Sequence, residues 1–178
     1  MGSTKTYTNL LGYTFGTGFG MGMVIDNHLN RGNNSCAETF CLRHKNYPEV
    51  FVEEGVAIRA IKRVYAEKSG DINHKLEPKD ICDIAEGKRE GNKEAAIAAF
   101  EEFGTVAGDA IATAVTLTDS LVVLGGGLTG AKKFFMPSLL AQLRGVLHSV
   151  TGEEIPRMPM KAFNLDDEEE VVQFAHRA

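Results

Sequence analysis

No apolar run in this chain of 178 residues approaches the ~20 residues that a membrane-spanning helix requires. The N-terminal stretch MGSTKTYTN has no apolar signal-peptide core. Cysteine is scarce: Cys36, Cys41 and Cys82 are an odd set that closes no disulfide framework, which fits a reducing, cytoplasmic compartment. Cys36, Cys41 and His44 lie close in sequence, but their spacing matches no standard zinc pattern and a fourth ligand is not evident. Free or buried thiols are expected instead. Basic residues are outnumbered, 19 against 24, and the net charge of −5 argues against a general nucleic-acid-binding surface. No internal repeat or low-complexity tract is present, and no carboxylate stands in an evident catalytic motif. A hydrophobic fraction of 43% and a charged fraction of 24% leave one globular domain with a sizeable core.

Glycine, by contrast, is concentrated in two clusters, Gly16-Thr17-Gly18-Phe19-Gly20-Met21-Gly22 and Gly125-Gly126-Gly127-Leu128-Thr129-Gly130. Each follows an apolar run. Without a Cβ, glycine lets backbone N–H groups close on a ligand and adopts positive φ cheaply. Two such turns in one domain point to a nucleotide or phosphate held between them.

Patterning places the clusters among elements. Residues 8–15 and 21–30 flank the first, and Met23-Val24-Ile25 reads as a strand entering a turn, so the first cluster is strand–turn–strand. Residues 31–50 are irregular and polar. Residues 50–67 read as a helix with Val56, Ala57, Ala60, Ile61, Val64 and Tyr65 on one stripe. A loop around Ser69-Gly70-Asp71 follows, then a short helix with Pro78 in its first turn. Residues 93–117 read as the longest helix; Gly104 and Gly108 inside it imply close packing against another element. Leu121-Val122-Val123-Leu124 reads as a strand buried on both faces. An amphipathic helix is expected from about Ala131 to His148, with Pro137 near its start or kinking it. The acidic run Asn164–Glu170 reads as a solvated loop or helix start. His28, His44, His74, His148 and His176 share no metal spacing and read as surface or capping residues. Asp109 and Asp119, without paired partners, read as polar-face or loop residues.

Three phosphate-binding designs compete for the glycines. A dinucleotide fingerprint, Gly-x-Gly-x-x-Gly opening a helix, fails because Met21 or Ile25 stands where the third glycine must be. A P-loop fits Gly125 to Gly130 in spacing, but Ala131 replaces the lysine and Lys132 and Lys133 are off register. The third design is a hairpin whose Gly-Thr-Gly turn points N–H groups at a phosphate, with the threonine hydroxyl as a further donor and a second glycine turn flanking the nucleoside. Both clusters fit it in order.

Leu11-Gly12-Tyr13-Thr14-Phe15-Gly16-Thr17-Gly18-Phe19-Gly20-Met21-Gly22-Met23-Val24-Ile25-Asp26 resembles the second phosphate motif of the ROK family of sugar kinases and sugar-responsive repressors, within the actin and hexokinase superfamily. Arg31 to Glu38 resembles the family's next segment, which ends in an Ala/Gly-Glu step. Val122 to Ala131 is similar to its adenosine motif. The resemblance implies an α/β fold: the C-terminal lobe of an actin-like (ribonuclease H-like) ATPase, a mixed sheet flanked by helices, spanning residues 1–178. It implies that Gly16, Thr17 and Gly18 meet ATP phosphates, that Gly125, Gly126 and Gly127 line the adenosine, and that Glu38 bonds a sugar hydroxyl. Glu49 is the nearest match to a second sugar-binding glutamate.

The departures matter as much. After Glu38 the chain reads Thr39-Phe40-Cys41 where the family has Ile-Gly-His, and the cysteine-rich loop is replaced by Leu42 to Tyr47, so no family-type zinc is expected. The first phosphate motif, Asp-x-Gly-Gly-Thr, and the Asn-Asp step that supplies the general base are absent. In the family both belong to an N-terminal lobe, where the base takes the sugar hydroxyl proton while Mg²⁺ neutralises phosphate charge. The chain therefore reads as an excised nucleotide-binding lobe of an ATP-dependent kinase acting on a hexose or N-acetylhexosamine. It is expected to be inactive alone, cut before a final helix, and homodimeric. The alternative is the effector-binding lobe of a regulator, in which case the parent binds DNA.

Overall fold

The computed structural model describes residues 7–71, 73 and 75–176; Met1–Ser3, His74, Arg177 and Ala178 lie outside the described residues. Three strands open the fold: β1 (Leu10–Phe15), β2 (Phe19–Ile25) and the short β3 (His28–Leu29). A fourth, β4 (Leu121–Gly125), joins the far side of β1, giving the order β3-β2-β1-β4. β1 is antiparallel to β2 and parallel to β4, so the sheet is mixed.

Period-two patterning decides how the sheet sits. Leu11, Tyr13 and Phe15 alternate along β1 and are buried with Phe19. The Phe15 ring meets Phe103 edge-on at 5.2 Å and Phe135 at 5.7 Å. The opposite face carries Thr14, Gly20, Gly22 and Val123, all exposed. Among the described residues, then, helices cover one face of the sheet. β4 departs from the expectation of burial on both faces. It is the sheet's edge strand, and Val123 is 52% exposed.

Helix α3 (Lys93–Thr118) runs through the core and packs on α1 (Ile58–Ser69), α2 (Pro78–Ala85) and α4 (Lys132–Leu143). Asn92 caps its start by accepting the Ala95 N–H at 3.0 Å. Gly104 and Gly108 do what their positions imply. A Cβ on Gly104 would strike the Phe135 carbonyl oxygen and the Ser138 hydroxyl of α4, and one on Gly108 would lie 2.6 Å from the Leu139 carbonyl oxygen. α2 opens with a capping box between Glu77 and Asp80, with Pro78 in its first turn.

The stripe read over residues 50–67 is buried as expected, but the helix is shorter. Val52–Gly55 forms one 3₁₀ turn, Ala57 is extended (φ −147°, ψ 169°), and α1 begins at Ile58. The reason is tertiary. Gly55 lies so close to the His44 ring and Val106 that a Cβ there would strike the His44 ring. The stretch read as one helix to His148 also divides. α4 ends at Leu143, with Pro137 inside it, and β5 (Val146–His148) pairs antiparallel with β6 (Glu154–Pro156). Gly145 breaks the chain there, and its carbonyl accepts the Arg157 N–H at 2.8 Å, which fixes the ribbon's other arm. The acidic run starts α5 (Glu168–Ala175), where Asp167 accepts the Glu170 N–H at 3.0 Å.

Two polar residues behave differently from their sequence reading. His44 is buried, 1% exposed, with its ring 4.9 Å from Tyr47 and its Nδ1 accepting the Asn46 N–H. Burial, and then Arg63, push its pKa below the usual value. It is a core histidine because the loop 41–51 folds over Gly55, whose missing side chain leaves room for the ring. Asp109 has partners after all, Lys45 at 3.8 Å and Arg157 at 3.5 Å. Cys36 and Cys41 are exposed thiols; Cys82 is half-buried, and burial raises its pKa.

Candidate nucleotide site

β1 and β2 pair up to Phe15 and Phe19, which leaves a three-residue turn, Gly16-Thr17-Gly18. The two buried phenylalanines anchor its ends. The turn lies at the C-terminal end of β1. Because β4 runs parallel, with Thr14 opposite Gly125, the second glycine cluster emerges at the same end of the sheet. In open α/β sheets this is where ligands bind.

The two turns touch. Gly126 adopts φ +97°, and a Cβ there would strike the Phe15 carbonyl oxygen and lie 2.7 Å from the Phe15 nitrogen. Gly126 is thus a glycine for backbone approach, while nothing occupies the space a Cβ would take on Gly127. A Cβ on Gly125 would lie 3.6 Å from the Tyr13 carbonyl oxygen, an ordinary contact, and the Thr129 hydroxyl donates to the Gly126 carbonyl at 2.7 Å. Of the three glycines expected to line a nucleoside, only Gly127 presents open space; Gly126 faces the protein's own backbone.

In the first turn, Gly16 N–H donates to the Gly18 carbonyl at 3.3 Å. Among the described residues, the Thr17 and Gly18 N–H groups and the Thr17 hydroxyl make no hydrogen bond, and Thr17 is exposed. The back of the turn is fully engaged. The Gly16 carbonyl accepts the Ile58 N–H at 2.9 Å, and the Thr17 carbonyl accepts from Arg59 Nη1 at 3.2 Å. Phe19 N–H donates to Glu53 Oε2 at 2.9 Å, and Arg59 also donates to Glu54 Oε1 at 2.7 Å and Glu53 Oε1 at 3.0 Å. The Phe19 N–H, then Arg59, hold the Glu53 carboxyl below its usual range; Glu54 and Glu53 raise Arg59.

Glu38 lies on the same strand edge. Its Oε2 accepts the Met21 N–H at 3.0 Å, and Oε1 makes no hydrogen bond among the described residues. Phe19 and Met21 are two residues apart, so the two carboxylates sit about 7 Å apart along β2. Next to Glu38, Thr39 is buried against Tyr13, whose phenol burial pushes up to about 12. Glu49 is exposed in the turn Tyr47–Val50 and makes no ion pair or hydrogen bond with Glu38 or the glycine turns. Glu53 and Arg59 escaped the sequence reading, which took 50–67 as one continuous helix. On such a helix Glu53 and Arg59, six apart, face different sides; the break at Gly55–Ala57 brings them together.

A cavity of about 790 Å³ adjoins the second turn, between the β4 edge, α4 and the chain from Met158 to Asp166, with Thr129 and Gly130 at its rim. Among the described residues no group of three or more His, Cys, Asp or Glu side chains is placed to hold a metal ion, and no helix is long and apolar enough to cross a membrane.

The ROK family model matches residues 49–168. A glucokinase from Parabacteroides distasonis is 53% identical, with a TM-score of 0.88, over 98% of this chain and 47% of its own length. The chain therefore spans about half of that relative. A ROK family glucokinase from Streptomyces griseus, solved with glucose and AMPPNP, is 22% identical with a TM-score of 0.65, over 98% of this chain and 61% of its own. A ROK family transcriptional regulator, a homologue of the E. coli MLC protein, is 20% identical with a TM-score of 0.64, over 77% of this chain and 38% of its own. These last two share the fold. No curated protein matches the chain.

Proposed function

The chain belongs to the ROK family, and from that premise we propose that it is the nucleotide-binding lobe of an ATP-dependent sugar kinase. Its single lobe holds the nucleotide, and the parent moves the γ-phosphate to a hydroxyl of a hexose or N-acetylhexosamine. The adjacency of the two glycine turns carries this reading. They leave the C-terminal ends of neighbouring parallel strands and meet where Gly126 rests on the Phe15 backbone.

In this reading the Thr17 and Gly18 N–H groups and the Thr17 hydroxyl take the phosphates, as donors that need no reorganisation when charge develops. The open face of Gly127 takes the nucleoside. Glu38 keeps Oε2 on Met21 and offers Oε1 to a sugar hydroxyl; Glu49 is the candidate for a second sugar contact. Mg²⁺ belongs with the phosphates and supplies charge neutralisation there. Among the described residues no group of three or more acidic, His or Cys side chains is placed to hold a metal ion; in this reading the chain's own residues bind and orient. The general base is expected from the other lobe, so the chain alone binds nucleotide without transferring phosphate. The same reading carries a cytoplasmic homodimer.

Calorimetric titration with Mg-ADP tests it. Saturable binding that Gly127→Val weakens while leaving the melting temperature in place supports a nucleotide lobe. A folded chain with no ADP binding rejects it as a lobe that binds on its own.

A further inference from the structure

We propose that Arg59, working with Glu53, is a positioning residue that sets the Gly16–Gly18 turn so that two backbone N–H groups face a phosphate. The proposal rests on the nucleotide reading above and adds the residue that enforces it.

The argument starts from the peptide plane. In a trans peptide the carbonyl and the following N–H point in opposite directions. The Gly16 carbonyl and the Thr17 N–H share one plane; the Thr17 carbonyl and the Gly18 N–H share the next. Ile58 N–H holds the first carbonyl at 2.9 Å and Arg59 Nη1 holds the second at 3.2 Å. Both anchors come from the first turn of α1, behind the loop. Both N–H groups are therefore turned forward, away from α1, and they are the two that make no hydrogen bond among the described residues.

Without those anchors the turn has little to hold it. Two of its three residues are glycines, for which either peptide flip is accessible. A flipped Thr17–Gly18 peptide would aim a carbonyl oxygen at the phosphate. The Ile58 anchor is backbone and survives any substitution there except proline. The Arg59 anchor is a side chain, and it is fixed in turn by Glu54 and Glu53. Glu53 completes the frame from the other end of the turn, accepting the Phe19 N–H and lying so close to Gly18 that a Cβ there would be 2.8 Å from Oε2.

Charge points the same way. Two carboxylates stand behind a turn meant for an anion, and Arg59 is the cation that offsets them. Removing Arg59 frees the peptide to flip and uncovers both negative charges at once. Lysine restores the charge, but it is a compact point charge and cannot reproduce the guanidinium fork that reaches the carbonyl and both carboxylates.

The test compares Mg-ADP and adenosine on the wild-type chain, Arg59→Ala, Arg59→Lys and Glu53→Gln, with backbone amide NMR of Gly16, Thr17 and Gly18 in nucleotide-free protein. Adenosine lacks phosphate and does not need the turn, so its binding reports the integrity of the rest of the site. Arg59→Ala is expected to weaken ADP on the order of tenfold, as for a lost hydrogen bond to a charged group, with adenosine unchanged. Its Thr17 and Gly18 amide resonances are expected to shift and exchange faster. Arg59→Lys recovers part of the ADP loss, and Glu53→Gln gives a smaller loss. Equal losses for ADP and adenosine assign Arg59 a merely structural role and overturn the proposal. So does wild-type ADP affinity in Arg59→Ala with unmoved turn amides. A wild-type chain that binds neither ligand overturns the nucleotide reading itself, and the positioning role with it.

Discussion

Substituting Gly104 by alanine sets two effects of known sign against each other. Alanine is favoured over glycine in a helix interior by about 1 kcal/mol, so at an open site on α3 the change would stabilise. At Gly104 the new methyl meets the Phe135 carbonyl oxygen and the Ser138 hydroxyl, and lies 3.0 Å from the Phe135 carbonyl carbon. Ser138 can rotate away. Phe135 cannot, because those atoms are α4 backbone, and the Phe135 ring is locked against Phe15 and Phe103 at 5.7 Å and 5.3 Å. Relief requires the two helices to separate along their contact, which also contains Gly108 and Leu139. Overpacking of this kind costs typically about 1–3 kcal/mol, and a backbone obstacle puts it at the upper end. The net expectation is a loss of about 2 kcal/mol, or about 4–8 °C in melting temperature for a domain of this size. Urea denaturation of wild type, Gly104→Ala and Gly104→Ala/Ser138→Ala reads it. The double variant should recover only a minor part, since the backbone carbonyl remains. A Gly104→Ala midpoint equal to or above wild type would refute the reasoning.

Three further outcomes follow from other features. Gly126→Ala should destabilise the chain by about 1–3 kcal/mol, because φ +97° and the Phe15 backbone both exclude a side chain, whereas Gly127→Val should leave the thermal midpoint within about 1 °C; differential scanning fluorimetry separates them. Asn92→Ala removes the cap on α3 and should cost about 1 kcal/mol in urea denaturation. His44 sits below its usual 6.5 when folded, so the unfolded chain binds the extra proton; stability is complete above 6.5 and falls as pH drops through 6.5 toward the folded value, at no more than about 1.4 kcal/mol per pH unit. The wild-type urea midpoint should therefore drop between pH 7.5 and 5.5 by more than that of His44→Phe, and parallel drops would count against the assignment.

The elements that were legible in the sequence are those whose information is local. The apolar runs either side of Gly16-Thr17-Gly18 mark a strand–turn–strand, and helical spacing from Ile97 to Val115 marks α3. The Gly-Thr-Gly turn stands where the flanking apolar runs put it, and Gly104 and Gly108 could be read as a close approach before the partner helix was known. What stayed hidden depends on contacts between distant segments. The start of α1 is displaced to Ile58 by the meeting of Gly55 with His44 and Val106, the latter about 50 residues further along the chain. The β5–β6 ribbon hides behind helix-compatible residues such as Leu147. At the candidate site, Glu38 was found by resemblance. Glu53 and Arg59 carry no motif, and they reach the turn only because the backbone breaks between them.

The carboxylates on β2 also govern how this lobe meets other chains. An unpaired strand edge is a template for the strand of a neighbour, and β3 covers only Val24 and Ile25 of β2. Along the rest of that edge, the Phe19 and Met21 N–H groups that an incoming strand would need are already taken by Glu53 and Glu38. A strand arriving there meets two negative charges in place of two donors. The guard at Phe19 survives mild acid, since the Glu53 carboxyl is held below its usual range. Glu53, which frames the Gly16–Gly18 turn, thus also closes one stretch of the β2 edge to strand addition.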